Sequence, residues 1–179
     1  MAKGSAVRKT SDMQERMEIY RDLATPGAPH KLLESLAGTW DVKSECWMEP
    51  GGESFEHTGS SEQKMILGGR FLEQRFEGDV MGTPFSGIGY LGYDNQKGTY
   101  VSTWIDTMGT GINYFEGDAG SDGKTITQIC NMVDPVRGPV KWRTLTTIVD
   151  SDTLKFEMFI TGESGHEDKM SDMTYTRRK

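Results

Sequence analysis

The feature that most constrains this chain is a change of period at Gly38. Beyond it, Trp40, Val42, Ser44, Cys46 and Met48 alternate with Asp41, Lys43, Glu45 and Trp47. Successive side chains of a strand point to opposite faces, so this pattern reads as a half-buried strand. It returns at 99–106, where Val101, Thr103 and Ile105 oppose Tyr100, Ser102, Trp104 and Asp106. It returns again at 153–161, where Leu154, Phe156, Met158 and Ile160 oppose Lys155, Glu157, Phe159 and Thr161. Nine turn signals, from Pro50-Gly51-Gly52 to the Gly162–Gly165 segment, separate about ten such strands. No stretch between them is long enough for a crossover helix, so neighbouring strands should pair antiparallel.

Ten strands laid flat would leave two open edges and one unburied face. Closing the sheet into a barrel removes both problems. A barrel of roughly eight to ten strands is wide enough inside for a small ligand. The expected fold is therefore all-β, a closed antiparallel β-barrel of about ten strands with a short N-terminal helical segment capping one end. Hydrophobic residues are only 35% of the chain, which suits a single layer of sheet with one apolar face.

The N-terminal part reads differently. Residues 1–10 are polar and read as disordered. Ser11 and Gln14 have capping-box spacing, and Met13, Met17, Tyr20 and Ala24 form one helical stripe. Pro26, Gly27 and Pro29 end that helix, and a shorter one runs from His30 to Leu36 with Leu32, Leu33 and Leu36 to bury. The chain thus divides into a tail and helix over 1–29 and a barrel domain over 30–179. At 179 residues this is one domain.

Charge narrows the partners. Twenty basic against 27 acidic residues give −7, and the basic cluster is only Arg177, Arg178 and Lys179. No basic stripe exists to hold phosphates, so nucleic acid is excluded. No apolar run approaches the ~18 residues that span a bilayer, and the N-terminus shows no signal-peptide core. Cys46 and Cys130, far apart and without a secretion signal, read as reduced buried thiols. These features point to a soluble cytoplasmic protein; they leave the oligomeric state open.

The Leu36-Ala37-Gly38-Thr39-Trp40 segment resembles the Gly-x-Trp that opens the first strand of lipocalins and fatty-acid-binding proteins, the calycin barrels. Leu67-Gly68-Gly69-Arg70-Phe71-Leu72, Met81 to Gly87, Gly92-Tyr93-Asp94, Trp104-Ile105-Asp106 and Thr174-Tyr175-Thr176-Arg177 together resemble the DUF1579 family, over roughly residues 30 to 178. That resemblance implies a calycin-like barrel, distantly similar to nitrobindin-type haem barrels, and no particular activity. It also implies that Trp40 closes one end beneath Arg177, a structural stacking on the order of 1 kcal/mol.

Several short motifs fail on context. Gly87-Ile88-Gly89-Tyr90-Leu91-Gly92 matches G-x-G-x-x-G, yet it lies in an alternating strand rather than between a strand and a helix. Its glycines instead permit curvature or close approach of a ligand. His166-Glu167 lacks the second zincin histidine, and Asp118–Gly123 lacks the distal calcium ligand at Ile129. Gly162–Gly165 misses the nucleophile elbow by one residue. His30, His57 and His166 have no metal-ligand spacing and read as surface or capping histidines. Nitrobindin-type barrels ligate haem through a late-strand histidine, but His166 lies between Gly165 and Glu167 in what reads as a wet loop. No metal and no cofactor, haem included, is expected.

The remaining candidates concern the barrel interior. Trp104 and Asp106 share a face with Tyr100 and Ser102. If that face is inward, an indole, a hydroxyl and a carboxylate converge in an apolar cavity, the usual form of a ligand site. Asp106 equally fits an anchor for the Thr107–Gly111 turn. Arg70 would orient an anionic head group if inward, and otherwise sits at the strand end. Tyr90 and Met158 complete the expected lining, and the many scattered methionines suit a wall of loose specificity. Three functions follow. The leading one is binding of a small, mostly apolar molecule, without catalysis. The second is an enzyme with Asp106 as base. The third is an interaction module with a filled barrel.

Overall fold

The structure, a computed structural model, describes residues 12–162 and 165–179. Ser11, Glu163 and Ser164, which figure in the capping-box and elbow readings, lie outside the described residues, as does the 1–10 tail.

Two helices precede ten strands: α1 (Met13–Leu23), α2 (Ala28–Leu36), β1 (Gly38–Trp47), β2 (Ser54–Ile66), β3 (Phe71–Val80), β4 (Thr83–Asp94), β5 (Thr99–Asp106), β6 (Asn113–Ala119), β7 (Thr125–Asp134), β8 (Gly138–Ile148), β9 (Thr153–Thr161) and β10 (Glu167–Arg177). Every strand pairs antiparallel with its sequence neighbours, and β1 also pairs with β10, closing the barrel. Closure needs no crossover, because each connection is a short hairpin loop. The tightest is Met81-Gly82, both at positive φ (53° and 82°), joining Val80 to its partner Thr83. Positive φ at both central residues matches the right-handed twist of the flanking strands.

The register decides which face is inside. Trp40, Val42 and Ser44 are buried while Asp41, Lys43 and Glu45 are exposed. Their register partners carry the inner face around the wall, through Ser61, Phe76 and Gly87 on one side and Arg177, Tyr175 and Met173 on the other. One irregularity, between Lys169 and Ser171, lets both Met170 and Ser171 be buried.

The helices differ in what they do. α2 buries His30, Leu33 and Leu36, and the two leucines join Trp40, Val42, Leu72, Tyr100, Ile126, Leu154 and Tyr175 in one core that seals this end of the barrel. Pro29 lies in the first turn of α2, where its missing N–H costs nothing, instead of ending the preceding helix. The cap is supplied backwards: the Gly27 N–H donates to His30 Nδ1 at 3.0 Å, so His30 is the capping histidine the sequence suggested. α1 buries no residue, and its Met13, Met17 and Tyr20 stripe is exposed. The end cap is therefore α2 alone. Asp12 caps α1, accepting from the Gln14 N–H at 3.0 Å. α1 is tethered through Asn95, whose Nδ2 donates to the carbonyls of Leu23 and Thr25.

Among the described residues no helix is long and apolar enough to cross a membrane.

Candidate functional site

The inner wall has three zones. The α2 end is the apolar core described above. At the opposite end Val140, Ile160 and Met170 form a smaller cluster with Trp47, Met132, Trp142 and Met158. Between them runs a belt of buried polar side chains: Ser44, Ser61, Gln63, Gln128, Thr144 and Ser171. Some of the belt is satisfied internally, as where Ser102 Oγ donates to Gln128 Oε1 at 2.9 Å. Much of it is not. Ser44 Oγ, Ser61 Oγ, His57 Nδ1, Gln128 Nε2 and Trp142 Nε1 are buried side-chain atoms without a hydrogen-bond partner. The ladder puts all five residues on the inner face. Nearly all buried polar atoms in native proteins are partnered by protein or by ordered water, so these five atoms on one interior face call for partners from outside the chain. Other inner-face residues, among them Gln74, Ser102, Trp104, Phe115, Phe156 and Met173, keep partial exposure.

Trp104 and Asp106 do share the inner face, opposite Gly89 and Gly87 of β4. The Trp104 indole N–H donates to Asp106 Oδ2 at 2.8 Å, and Asp106 Oδ1 accepts from the Met108 N–H at 2.8 Å. Asp106 is thus at once inward-facing and the anchor of its turn, and both its oxygens are engaged by the chain itself. The first two glycines of the G-x-G-x-x-G sequence have their explanation here. A Cβ on Gly87 would overlap the Trp104 ring, and one on Gly89 would lie 2.9 Å from Trp104 Cε3. The close approach is by the protein's own indole.

The other expected lining residues divide. Met158 is on the inner face, between Thr144 of β8 and Ser171 of β10. Tyr90 is not: it lies on the outer face, opposite Glu73, and is 41% exposed. Its alternation partners Gly89 and Leu91 point inward, and one residue along a strand reverses the face. Arg70 is also outside the interior. It sits in the β2–β3 turn, where its Nη1 donates to the Leu67 carbonyl at 3.0 Å. Trp40 and Arg177 pair as the resemblance implied, with the guanidinium 4.1 Å from the ring centroid. His166 is exposed and lies 3.3 Å from Asp168.

One constellation escaped the sequence reading. His57 is on the inner face of β2, not at the surface, as the register partner of Ser44. Its Nε2 lies 3.4 Å from Cys46 Sγ, which in turn lies 3.4 Å from Ser171 Oγ. Burial pushes the Cys46 thiol up, with Glu45 adding and the Ser171 hydrogen bond opposing. Burial lowers His57, partly offset by the Asp79 carboxylate. The pair is therefore held neutral. Period two alone would have placed Cys46 beside Trp40 and Val42; what the sequence could not supply is the β1–β2 register that adds His57. Cys130 is buried and also free. Among the described residues no three His, Cys, Asp or Glu side chains gather as a metal cluster.

The wall is incomplete at one seam. β6 and β7 pair only over Glu116–Ala119 and Ile126–Ile129. Beyond Glu116 the two strands part around a depression of about 350 Å³ lined by Ile112, Asn113, Tyr114, Cys130 and Met132 among others.

Comparison with known proteins agrees with this architecture. The crystal structure of Rv2717c from M. tuberculosis superposes with a TM-score of 0.62 at 17% identity, over 86% of this chain and 100% of that one. The S-type phycobiliprotein lyase CPES from Guillardia theta superposes at 0.56 and 11% identity, over 86% and 94% of the two chains. At such identities the likeness is one of fold. No curated protein matches the sequence. The model of the protein family of unknown function DUF1579 matches residues 25–177, nearly the whole described chain, and the chain belongs to that family.

Proposed function

We propose that the barrel binds a small, mostly apolar molecule that carries a polar group. The observation that supports this most directly is the set of five unpartnered polar atoms on the inner face. Leaving a buried donor or acceptor unmade costs roughly 1–3 kcal/mol each, a burden a merely filled core would shed. Apolar clusters above and below the belt would hold the hydrocarbon part, and the belt would fix the polar end. Trp104, Met158 and Asp106 belong to this lining, with Asp106 acting through the indole it holds.

The test is saturable binding. Purified protein is titrated with 1-anilinonaphthalene-8-sulfonate, displaced with decanoic acid, and examined by native mass spectrometry for a copurified molecule. Binding of either probe inside the barrel should weaken on Gln128→Leu, which removes the unpartnered Nε2 donor. Absence of any saturable probe and of any copurified molecule would refute the proposal.

A further inference from the structure

We propose that Cys46 and His57 form a nucleophile–base pair that covalently captures apolar α,β-unsaturated carbonyl compounds inside the barrel. Three observations carry it. The thiol and the imidazole Nε2 are 3.4 Å apart on the inner face, so a proton can pass directly between them. With the thiol proton directed at Nε2, the ring's own hydrogen lies on Nδ1, which is buried without a partner. Ser44, 4% exposed, is the register partner of His57 and stands two residues before Cys46 on the same face, and its hydroxyl too has no partner. The unpartnered donors beside the pair suit a substrate that brings its own acceptor.

The wall selects the type of reaction. Acyl transfer needs preorganised donors aimed at an oxyanion on the attacked carbon itself. Around Cys46 the backbone is committed to ladders on both sides, with Phe55 of β2 and Ser171 of β10 as register partners. The unpartnered donors here are the side chains of Ser44 and His57, register partners that lie two residues along the ladder from the Cys46–Phe55 pair. Conjugate addition has that geometry, because charge develops on an oxygen three atoms from the carbon under attack. The sulfur forms a bond to the β-carbon, the C=C π pair shifts into the bond between the α-carbon and the carbonyl carbon, and the C=O π pair moves onto oxygen, giving an enolate. The thiol proton goes to His57 Nε2 and returns to the α-carbon. Atoms and electrons balance with no oxidant, reductant or leaving group. Phe55, stacked on His57 at 6.0 Å, and Met158, facing Ser171, offer apolar surface to the tail.

The inference rests on the lumen admitting an apolar chain, and the experiment separates the two. Intact protein is incubated with trans-2-nonenal, and adducts are reduced with borohydride and mapped by mass spectrometry. Saturated nonanal, which cannot undergo the addition, is tested in parallel for displacement of 1-anilinonaphthalene-8-sulfonate. We expect one adduct, at Cys46 and not Cys130, forming faster than on N-acetylcysteine at neutral pH by about tenfold or more. Cys46→Ser should abolish it, Cys130→Ser should leave it intact, and His57→Gln should slow it by a similar factor. Labelling of Cys130 in preference, a Cys46 rate no higher than that of N-acetylcysteine, or an unchanged rate in folded His57→Gln would overturn the pair. Should His57→Gln fail to fold, as seen by near-ultraviolet circular dichroism, the wild-type rate and the mapped site still decide. Displacement by nonanal without Cys46 addition would refute capture while leaving the binding proposal standing.

Discussion

The Arg177 guanidinium lies over the Trp40 indole at 4.1 Å, and the two residues are register partners across the seam where β10 meets β1. The same guanidinium donates from Nη1 to the Ala37 carbonyl at 2.7 Å and from Nε to the Ser151 carbonyl at 2.8 Å. One side chain thereby ties the last strand, the first strand, the end of α2 and the β8–β9 turn. Trp40 is fully buried, and its indole N–H donates to the Leu36 carbonyl at 3.1 Å.

Arg177→Ala should therefore destabilise the protein by about 2–3 kcal/mol, the stacking plus two hydrogen bonds from a charged donor. Arg177→Lys should recover little of this, because an ammonium cannot stack flat and bridge two carbonyls at once. Urea unfolding of the three proteins measures it. Equal midpoints for wild type and Arg177→Ala would show the tie to be idle.

At Gly87 a methyl group would collide with the Trp104 ring. Gly87→Ala should cost about 1–3 kcal/mol by overpacking and force the indole toward the lumen. The second effect separates it from a simple backbone penalty: Trp104 fluorescence should shift and the Asp106 hydrogen bond should break. Gly82→Ala, at a turn with open space around it but φ of 82°, should lower stability with no change in Trp104 emission.

Asp106 serves two donors, so its substitutions should grade. Asp106→Ala removes both acceptors and leaves an indole N–H unmatched, a loss of about 1–3 kcal/mol. Asp106→Asn retains one carbonyl acceptor and should lose less. Thermal unfolding ranks them. Indistinguishable melting of Asp106→Ala and wild type would contradict the anchoring geometry.

Alkaline pH should unfold the barrel through Tyr175. Burial pushes its phenol up to about 12, above the ordinary value of 10.0. Between those values the folded state holds a proton that the unfolded state has released, so stability falls as pH rises. The contribution is complete below pH 10 and is lost on passing toward 12. Tyr175→Phe removes the titrating group and should flatten that part of the stability curve, followed by urea unfolding across the alkaline range.

How much of this was legible depends on the distance over which each signal acts. Alternation around Trp40 and Trp104 announced which side chains of β1 and β5 share a face, because strand geometry is local, but not which face is inward. Glycine-rich turns announced the hairpins for the same reason. The stripe of Met13, Met17 and Tyr20 looked equally clear, yet α1 buries nothing. A stripe shows that a helix has an apolar face, and only tertiary structure shows whether anything covers it. Tyr90 was misplaced because a strand of glycines gives period two too few side chains to declare its phase.

The linear order of residues determined the sheet and its closure, since a meander of short hairpins with an apolar face has few other ways to bury it, while the Trp40–Arg177 pair was implied by the resemblance to calycin barrels. Tertiary structure alone decided that Cys46 meets His57 and Ser171, and that five polar atoms converge unmatched on the lumen. Those meetings depend on register between strands, where a slip of a single residue turns every side chain to the other face.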